Sequence, residues 1–132
     1  MTDTVDPRPD GDGAVRILLV EDEFLIRLTL AEALTDAGYD VLEAESGDQA
    51  LDVLEQDPSI RVLLTDIQLP GQLNGLALAS KARATRPALP VIYMTGRPDT
   101  MADTTQGARD AFIAKPYLPS QVAATVRRLT EG

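Results

Sequence analysis

Asp66 closes the run Arg61-Val62-Leu63-Leu64-Thr65-Asp66, and Ile67-Gln68-Leu69-Pro70-Gly71 follows at once. Strand interiors are poor in Asp, so a carboxylate at the end of such a run calls for a chemical reason. Three other apolar runs also end in groups that coordinate or bind. Glu21 and Asp22 follow Ile17-Leu18-Leu19-Val20, Thr95 follows Val91-Ile92-Tyr93-Met94, and Lys115 follows Ala111-Phe112-Ile113-Ala114. Three carboxylates crowded together raise one another's proton affinity unless a cation joins them. Mg2+ takes carboxylates, a carbonyl and several waters, and leaves room for a phosphate oxygen. With a hydroxyl and an ammonium beside it, such a set can hold a phosphoryl group. Asp66 is then an in-line nucleophile that needs no general base.

The elements that must position these groups follow from the patterning. Residues 15–20, 39–44, 61–66, 91–95 and 111–114 read as strands. The third is a continuous apolar run of the kind buried on both faces of a parallel sheet. Between them lie five helical stretches. Residues 24–37 carry Phe24, Leu28, Ala31 and Leu30/Leu34 on overlapping stripes, with Gly38 as the stop. The second helix starts at the Ser46/Gln49 capping-box spacing and runs to about Gln56, with Ala50, Leu51, Val53 and Leu54 inward. The third spans 75–86 after Asn74, with Leu76, Ala79 and Ala82/Arg83 along one side. The fourth, 97–106, is weakly patterned, with Met101 and Ala102 inward, and is expected to be the most mobile. The fifth opens at Pro119-Ser120-Gln121 and repeats Val122, Val126 and Leu129. Strict alternation of strand and helix specifies an α/β domain with a parallel sheet and right-handed crossovers. Such sheets gather their chemistry at the carboxyl ends of the strands.

Composition narrows the function classes. The 132 residues fit one domain, expected at 14–132, and residues 1–13 read as a disordered acidic tail. The formal charge of −9 argues against binding nucleic acid through phosphate neutralisation. Cysteine and histidine are both absent. Thiolate metal sites, thiol catalysis, histidine acid–base chemistry and a phosphohistidine on this chain are thereby excluded. No apolar run approaches a membrane span, and a cytoplasmic location is expected.

Four segments together carry a family resemblance: Leu18-Leu19-Val20-Glu21-Asp22-Glu23, Leu63-Leu64-Thr65-Asp66-Ile67-Gln68-Leu69-Pro70, Met94-Thr95-Gly96 and Ile113-Ala114-Lys115-Pro116-Tyr117. In that order, each at a strand end, they resemble the CheY-like receiver domain of bacterial response regulators, over about residues 14–132. The resemblance implies a flavodoxin-like, doubly wound five-stranded parallel sheet of order 2-1-3-4-5 with five helices. It implies Asp66 as phosphoacceptor, with Thr95 and Lys115 drawn to the phosphoryl oxygens. It implies Mg2+ held by Glu21, Asp22, Asp66 and the Gln68 backbone carbonyl, with Glu21 acting mainly through water. Phe112 matches the switch aromatic, and Lys115-Pro116 matches a cis peptide that aims the ammonium inward. This chain has Glu at the first acidic position, where Asp is also common. Phe112 lacks a hydroxyl, and the loop 69–75 is one residue longer than usual. Pro90-Val91-Ile92-Tyr93-Met94-Thr95-Gly96 partly resembles a stand-alone subgroup.

The function so implied is that of a single-domain response regulator. It takes a phosphoryl group from a histidine kinase or histidine phosphotransfer protein and meets a downstream protein through its fourth helix, fifth strand and fifth helix. It is no enzyme beyond its own phosphorylation and dephosphorylation. Two rivals stand beside it. A phosphorylation-independent interaction module of the same fold would leave the strand-end groups without purpose. An aspartate-nucleophile phosphatase of the haloacid dehalogenase type uses Asp, Mg2+, Thr and Lys but normally carries a second acid two residues after the nucleophile, where this chain has Gln68.

Overall fold

A computed structural model describes residues 14–96 and 109–131. The chain alternates β1 (Arg16–Val20), α1 (Phe24–Asp36), β2 (Asp40–Ala44), α2 (Gly47–Gln56), β3 (Ile60–Asp66), α3 (Gly75–Thr85), β4 (Val91–Thr95), β5 (Asp110–Ala114) and α4 (Pro119–Glu131). All strands are parallel, in the order β2-β1-β3-β4-β5. The five strands stand where the patterning puts them, to within a residue. The helix expected over 97–106, with its expected mobility, and the tail expected over 1–13 lie outside the described residues. The last helix of the sequence reading is therefore α4 here.

Alternation along the strands splits the core in two. Leu18, Val20, Leu63, Val91 and Tyr93 point to one face, against Ala50 and Leu54 of α2 and Leu78, Ala79 and Ala82 of α3. Ile17, Leu19, Val62, Leu64, Ile92, Met94 and Ile113 point to the other, against Leu30, Ala31 and Leu34 of α1 and Val122 and Val126 of α4. Both faces are covered, which is why residues 62–64 of β3 and 91–94 of β4 run without a charged residue.

Local signals set most helix ends. Ser46 Oγ accepts the Gln49 N–H at 3.1 Å, but Gln49 Oε1 accepts from the Glu45 N–H and not from its capping partner. Asn74 Oδ1 accepts the Ala77 N–H at 2.8 Å. Gly38, at φ +100°, ends α1 with its N–H bonded to the Thr35 carbonyl. The facing of α1 differs from the expected stripe. Leu30, Ala31 and Leu34 are buried, while Phe24 is 60% and Leu28 36% exposed. The helix is apolar nearly all round in its first two turns, so periodicity leaves its roll undecided. Packing chose the Leu30/Leu34 stripe. In α3 the buried set is Leu78, Ala79 and Ala82, with Leu76 half-buried. No helix among the described residues is long and apolar enough to cross a membrane.

Strand register delivers the candidate groups to one edge. Val20 pairs with Thr65, Asp66 with Met94, and Thr95 with Ala114. Backbone bonds continue the ladder past the strand ends: the Ile67 N–H donates to Met94 O at 2.9 Å and the Lys115 N–H to Thr95 O at 2.7 Å. Helix α3 must start close behind Asp66. The Gly75 N–H donates to Ile67 O at 2.8 Å, and a Cβ at Gly75 would overlap Asp66 O and lie 2.8 Å from Ile67 Cα. Glycine is the residue that permits this approach.

Candidate functional site

Asp66 is 3% exposed at the end of β3. Its Oδ2 accepts from Lys115 Nζ at 2.7 Å and its Oδ1 from the Gln68 N–H at 3.1 Å. Glu21 is fully buried beside it. One oxygen of Glu21, Oε2, accepts the Glu23 N–H at 3.0 Å. The other, Oε1, lies 3.8 Å from Lys115 Nζ and has no hydrogen-bond partner. Asp22 is exposed at the rim. One carboxylate oxygen from each of Glu21, Asp22 and Asp66 lies within 4.8 Å of the others. Thr95 is fully buried at the end of β4, tied through its carbonyl to the Lys115 amide. The structure thus gathers Glu21, Asp22, Asp66, Gln68, Thr95 and Lys115 at one strand edge. The Lys115–Pro116 peptide is cis.

Phe112 stands apart from this cluster. It is half-buried and stacks on Tyr93 of the neighbouring strand, ring centroids 4.8 Å apart and planes 23° apart. That pair belongs to the α2/α3 side of the sheet.

The electrostatics follow from burial and charge. Burial pushes the Glu21 carboxyl up to about 7; the Glu23 N–H opposes this, the Asp66 charge adds to it, and Lys115 opposes it. Crowding of carboxylates is therefore real but secondary to desolvation. Burial pulls Lys115 down, but the Asp66 hydrogen bond and the charges of Asp66, Glu21 and Glu23 outweigh it and raise its proton affinity. Three carboxylates facing one ammonium leave an excess of negative charge. The donors are all oxygens, and a buried one is unpartnered. That set suits a hard divalent cation.

Two residues here had no role assigned from the sequence. Arg27 of α1 donates from Nη1 to the Glu21 carbonyl at 2.8 Å and from Nε to Glu43 Oε1 at 3.1 Å, with its guanidinium 5.6 Å from the Phe24 ring centre. It clamps the β1–α1 loop that carries Glu21 and Asp22. Tyr117, two residues past Lys115, buries its hydroxyl without a partner. As a lone polar-tipped aromatic after Lys115-Pro116 it reads as packing. Only the burial of its hydroxyl marks it.

Residues 17–127 match the family described as response regulator receiver domain. A chemotaxis protein CheY homolog of Campylobacter jejuni is 34% identical over 111 residues, covering 80% of this chain and 84% of that protein. The sensor kinase CckA of Brucella abortus is 32% identical over 130 residues, covering 96% of this chain and 14% of the kinase. Three further curated relatives are likewise spanned only in part, between 24% and 52% of their length. Among solved structures, the response regulator TrrA of Thermotoga maritima, determined in complex with Mg2+-BeF, superposes with a TM-score of 0.79 at 30% identity, over 87% of this chain and 98% of that one.

Proposed function

The chain belongs to the response regulator receiver domain family, and on that footing we propose that it is a phosphorylation-driven switch whose acceptor is Asp66. A histidine kinase or histidine phosphotransfer protein supplies the phosphoryl group. A bond forms between an Asp66 carboxylate oxygen and phosphorus, the phosphorus–nitrogen bond of the donor phosphohistidine breaks, and the donor leaves as imidazole. The carboxylate attacks as it stands, so no base is required. Lys115, paired with Asp66 at rest, exchanges that contact for a phosphoryl oxygen. Thr95 turns its hydroxyl to another. The acid cluster of Glu21, Asp22 and Asp66 would hold Mg2+, with the Gln68 carbonyl as a further ligand. When bound, Mg2+ neutralises charge on the transferring oxygens. TrrA, solved with Mg2+-BeF, supports this reading by its likeness. So does the unpartnered buried oxygen of Glu21.

The chain is proposed to act as a stand-alone regulator that turns over no other substrate and whose output is binding to another protein. Phosphorylation adds about −1.5 to −2 charge at the strand edge. The consequence is carried to the fifth strand, where Phe112 rests against Tyr93, and to the adjoining helical surface. A switch must bias two arrangements of such an element. The single observation that carries the proposal is the Lys115–Asp66 contact at 2.7 Å inside a cluster of three carboxylates. The test is labelling by acetyl phosphate or a phosphorylated kinase with Mg2+. Wild type should label, and Asp66→Asn should not. Equal labelling of the two would overturn the assignment.

A further inference from the structure

Glu21 and Asp22 stand on the short turn between β1 and α1, and that turn lacks the usual means of fixing a helix start. Among the described residues, the N-cap Glu23 forms no side-chain cap bond and the first turn carries no acid. Ser, Thr, Asp or Asn is the residue type that fills the cap position best. Asp22 is exposed, so packing does little to hold it. A side chain one turn into the helix holds the turn instead. Arg27, its side chain 13% exposed, donates from Nη1 to the Glu21 carbonyl at 2.8 Å and from Nε to Glu43 Oε1 at 3.1 Å. The first of these bonds spans the turn, and the second anchors the fork to β2. The Glu21 N–H is already held by Ala44 O at 3.1 Å, where the β1–β2 ladder ends. With its carbonyl held as well, Glu21 has both backbone groups fixed, and the planar peptide that joins it to Asp22 has a set orientation.

We propose that Arg27 is a positioning residue for the cation site: by holding the Glu21 carbonyl it fixes the peptide from which the Glu21 and Asp22 carboxylates reach the cluster with Asp66. The rival account of such a residue is its charge, and the two accounts predict opposite signs. As a charge, Arg27 repels a metal ion. Its removal, which also frees the Glu43 carboxylate, would tighten Mg2+ binding. As a clamp, Arg27 preorganises two of the three acids, and its removal weakens binding. Groups that orient metal ligands without touching the metal are typically worth about 10–100-fold in affinity. Arginine suits the task because its rigid fork presents several donors to acceptors on two different elements, where lysine has a single nitrogen.

This inference rests on the proposed Mg2+ site and is tested on the full chain with Arg27→Met, Arg27→Gln and Glu43→Gln. Methionine keeps an apolar stem and a good helix propensity. Glutamine, with its shorter arm, is the second variant should methionine fail to fold, which circular dichroism in EDTA shows. In calorimetric titration, either Arg27 variant should bind Mg2+ about tenfold more weakly than wild type. Glu43→Gln should change binding less than about twofold, since it loses only an ion pair whose acid is 41% exposed and keeps the carbonyl bond. Unchanged or tighter binding in the Arg27 variants overturns the positioning role. Equal weakening in all three variants moves the effect to the ion pair and overturns the part given to the carbonyl bond. A second readout needs no metal. In EDTA the Glu23 N–H, which donates to Glu21 Oε2 at 3.0 Å, should exchange with solvent deuterium about tenfold faster in Arg27→Met than in wild type. Unchanged exchange overturns the clamp whatever the metal result. A wild-type chain that takes up no Mg2+ overturns the cation site itself, and the exchange measurement keeps that failure apart from failure of the clamp.

Discussion

Glu21 carries the sharpest quantitative consequence of this architecture. Its carboxyl is pushed from the usual 4.5 to about 7, chiefly by burial. A raised carboxyl means that between those two values the folded chain keeps a proton the unfolded chain has lost. Stability then falls as pH rises through that window and is level above it. At about 1.4 kcal/mol for each tenfold change in proton affinity, the window corresponds to about 3 kcal/mol. Glu21→Gln removes the titration. Its amide keeps an acceptor for the Glu23 N–H but places donors near Lys115, at a cost of about 1–2 kcal/mol that does not vary with pH. The variant should therefore be slightly less stable than wild type at pH 5 and more stable at pH 8, the difference between the two proteins moving by about 3 kcal/mol.

The assay is urea unfolding followed by circular dichroism in EDTA at pH 5, 6, 7 and 8. The carboxylates remote from this strand edge are common to both proteins, so the wild-type-minus-variant difference reports the site around Glu21. Saturating Mg2+ at pH 8 should then recover stability in wild type, since a ligand that binds only the folded state stabilises it by mass action. It should do so much less in Glu21→Gln. Parallel pH curves for the two proteins would refute the reasoning, because they would mean that the buried carboxylate costs the fold nothing.

Two further outcomes follow from contacts around Asp66. Lys115→Met removes the ammonium 2.7 Å from Asp66 and should lower the rate of acetyl phosphate labelling on the order of 10²-fold, the scale of losing one preorganised charge at a phosphoryl group, without weakening Mg2+ binding measured by calorimetry. Gly75→Ala forces a Cβ onto Asp66 O and to 2.8 Å from Ile67 Cα, both backbone atoms that cannot swing aside, and should destabilise by about 2–3 kcal/mol in a urea melt while also slowing labelling.

How much of this was legible beforehand divides along physical lines. Strands buried on both faces read as unbroken apolar runs, and their polar last residues stand out for that reason. Asp66, Thr95, Lys115 and the Glu21-Asp22 pair were visible as strand-end groups, and parallel topology alone brings such groups to one edge. The facing of α1 was not legible. Leu25, Ile26, Leu28 and Leu30 offer competing stripes, and tertiary packing decides between them. Contacts between distant side chains were also invisible. Arg16 bridges Asp40 at 2.7 Å and Asp57 at 2.9 Å across 24 and 41 residues, and Arg27 reaches back to the Glu21 carbonyl. Each depends on where a long side chain ends, which register fixes and periodicity does not.

The charge count at the strand edge ties these observations together. Among the described residues, Glu21, Asp22 and Asp66 face one ammonium, Lys115, which leaves two negative charges over when all three acids are ionised. The fold meets part of that excess at rest by holding a proton on Glu21 up to about pH 7. On the proposed reading, a divalent cation would match the two charges, and Glu21 would give up that proton to hold it. A phosphoryl group arriving on Asp66 replaces one negative charge with about two. Without the cation it would enter a site already short of positive charge, in a setting where burial magnifies repulsion. On the proposed chemistry, cation binding therefore precedes phosphoryl transfer, and the buried glutamate is the group whose proton must leave first.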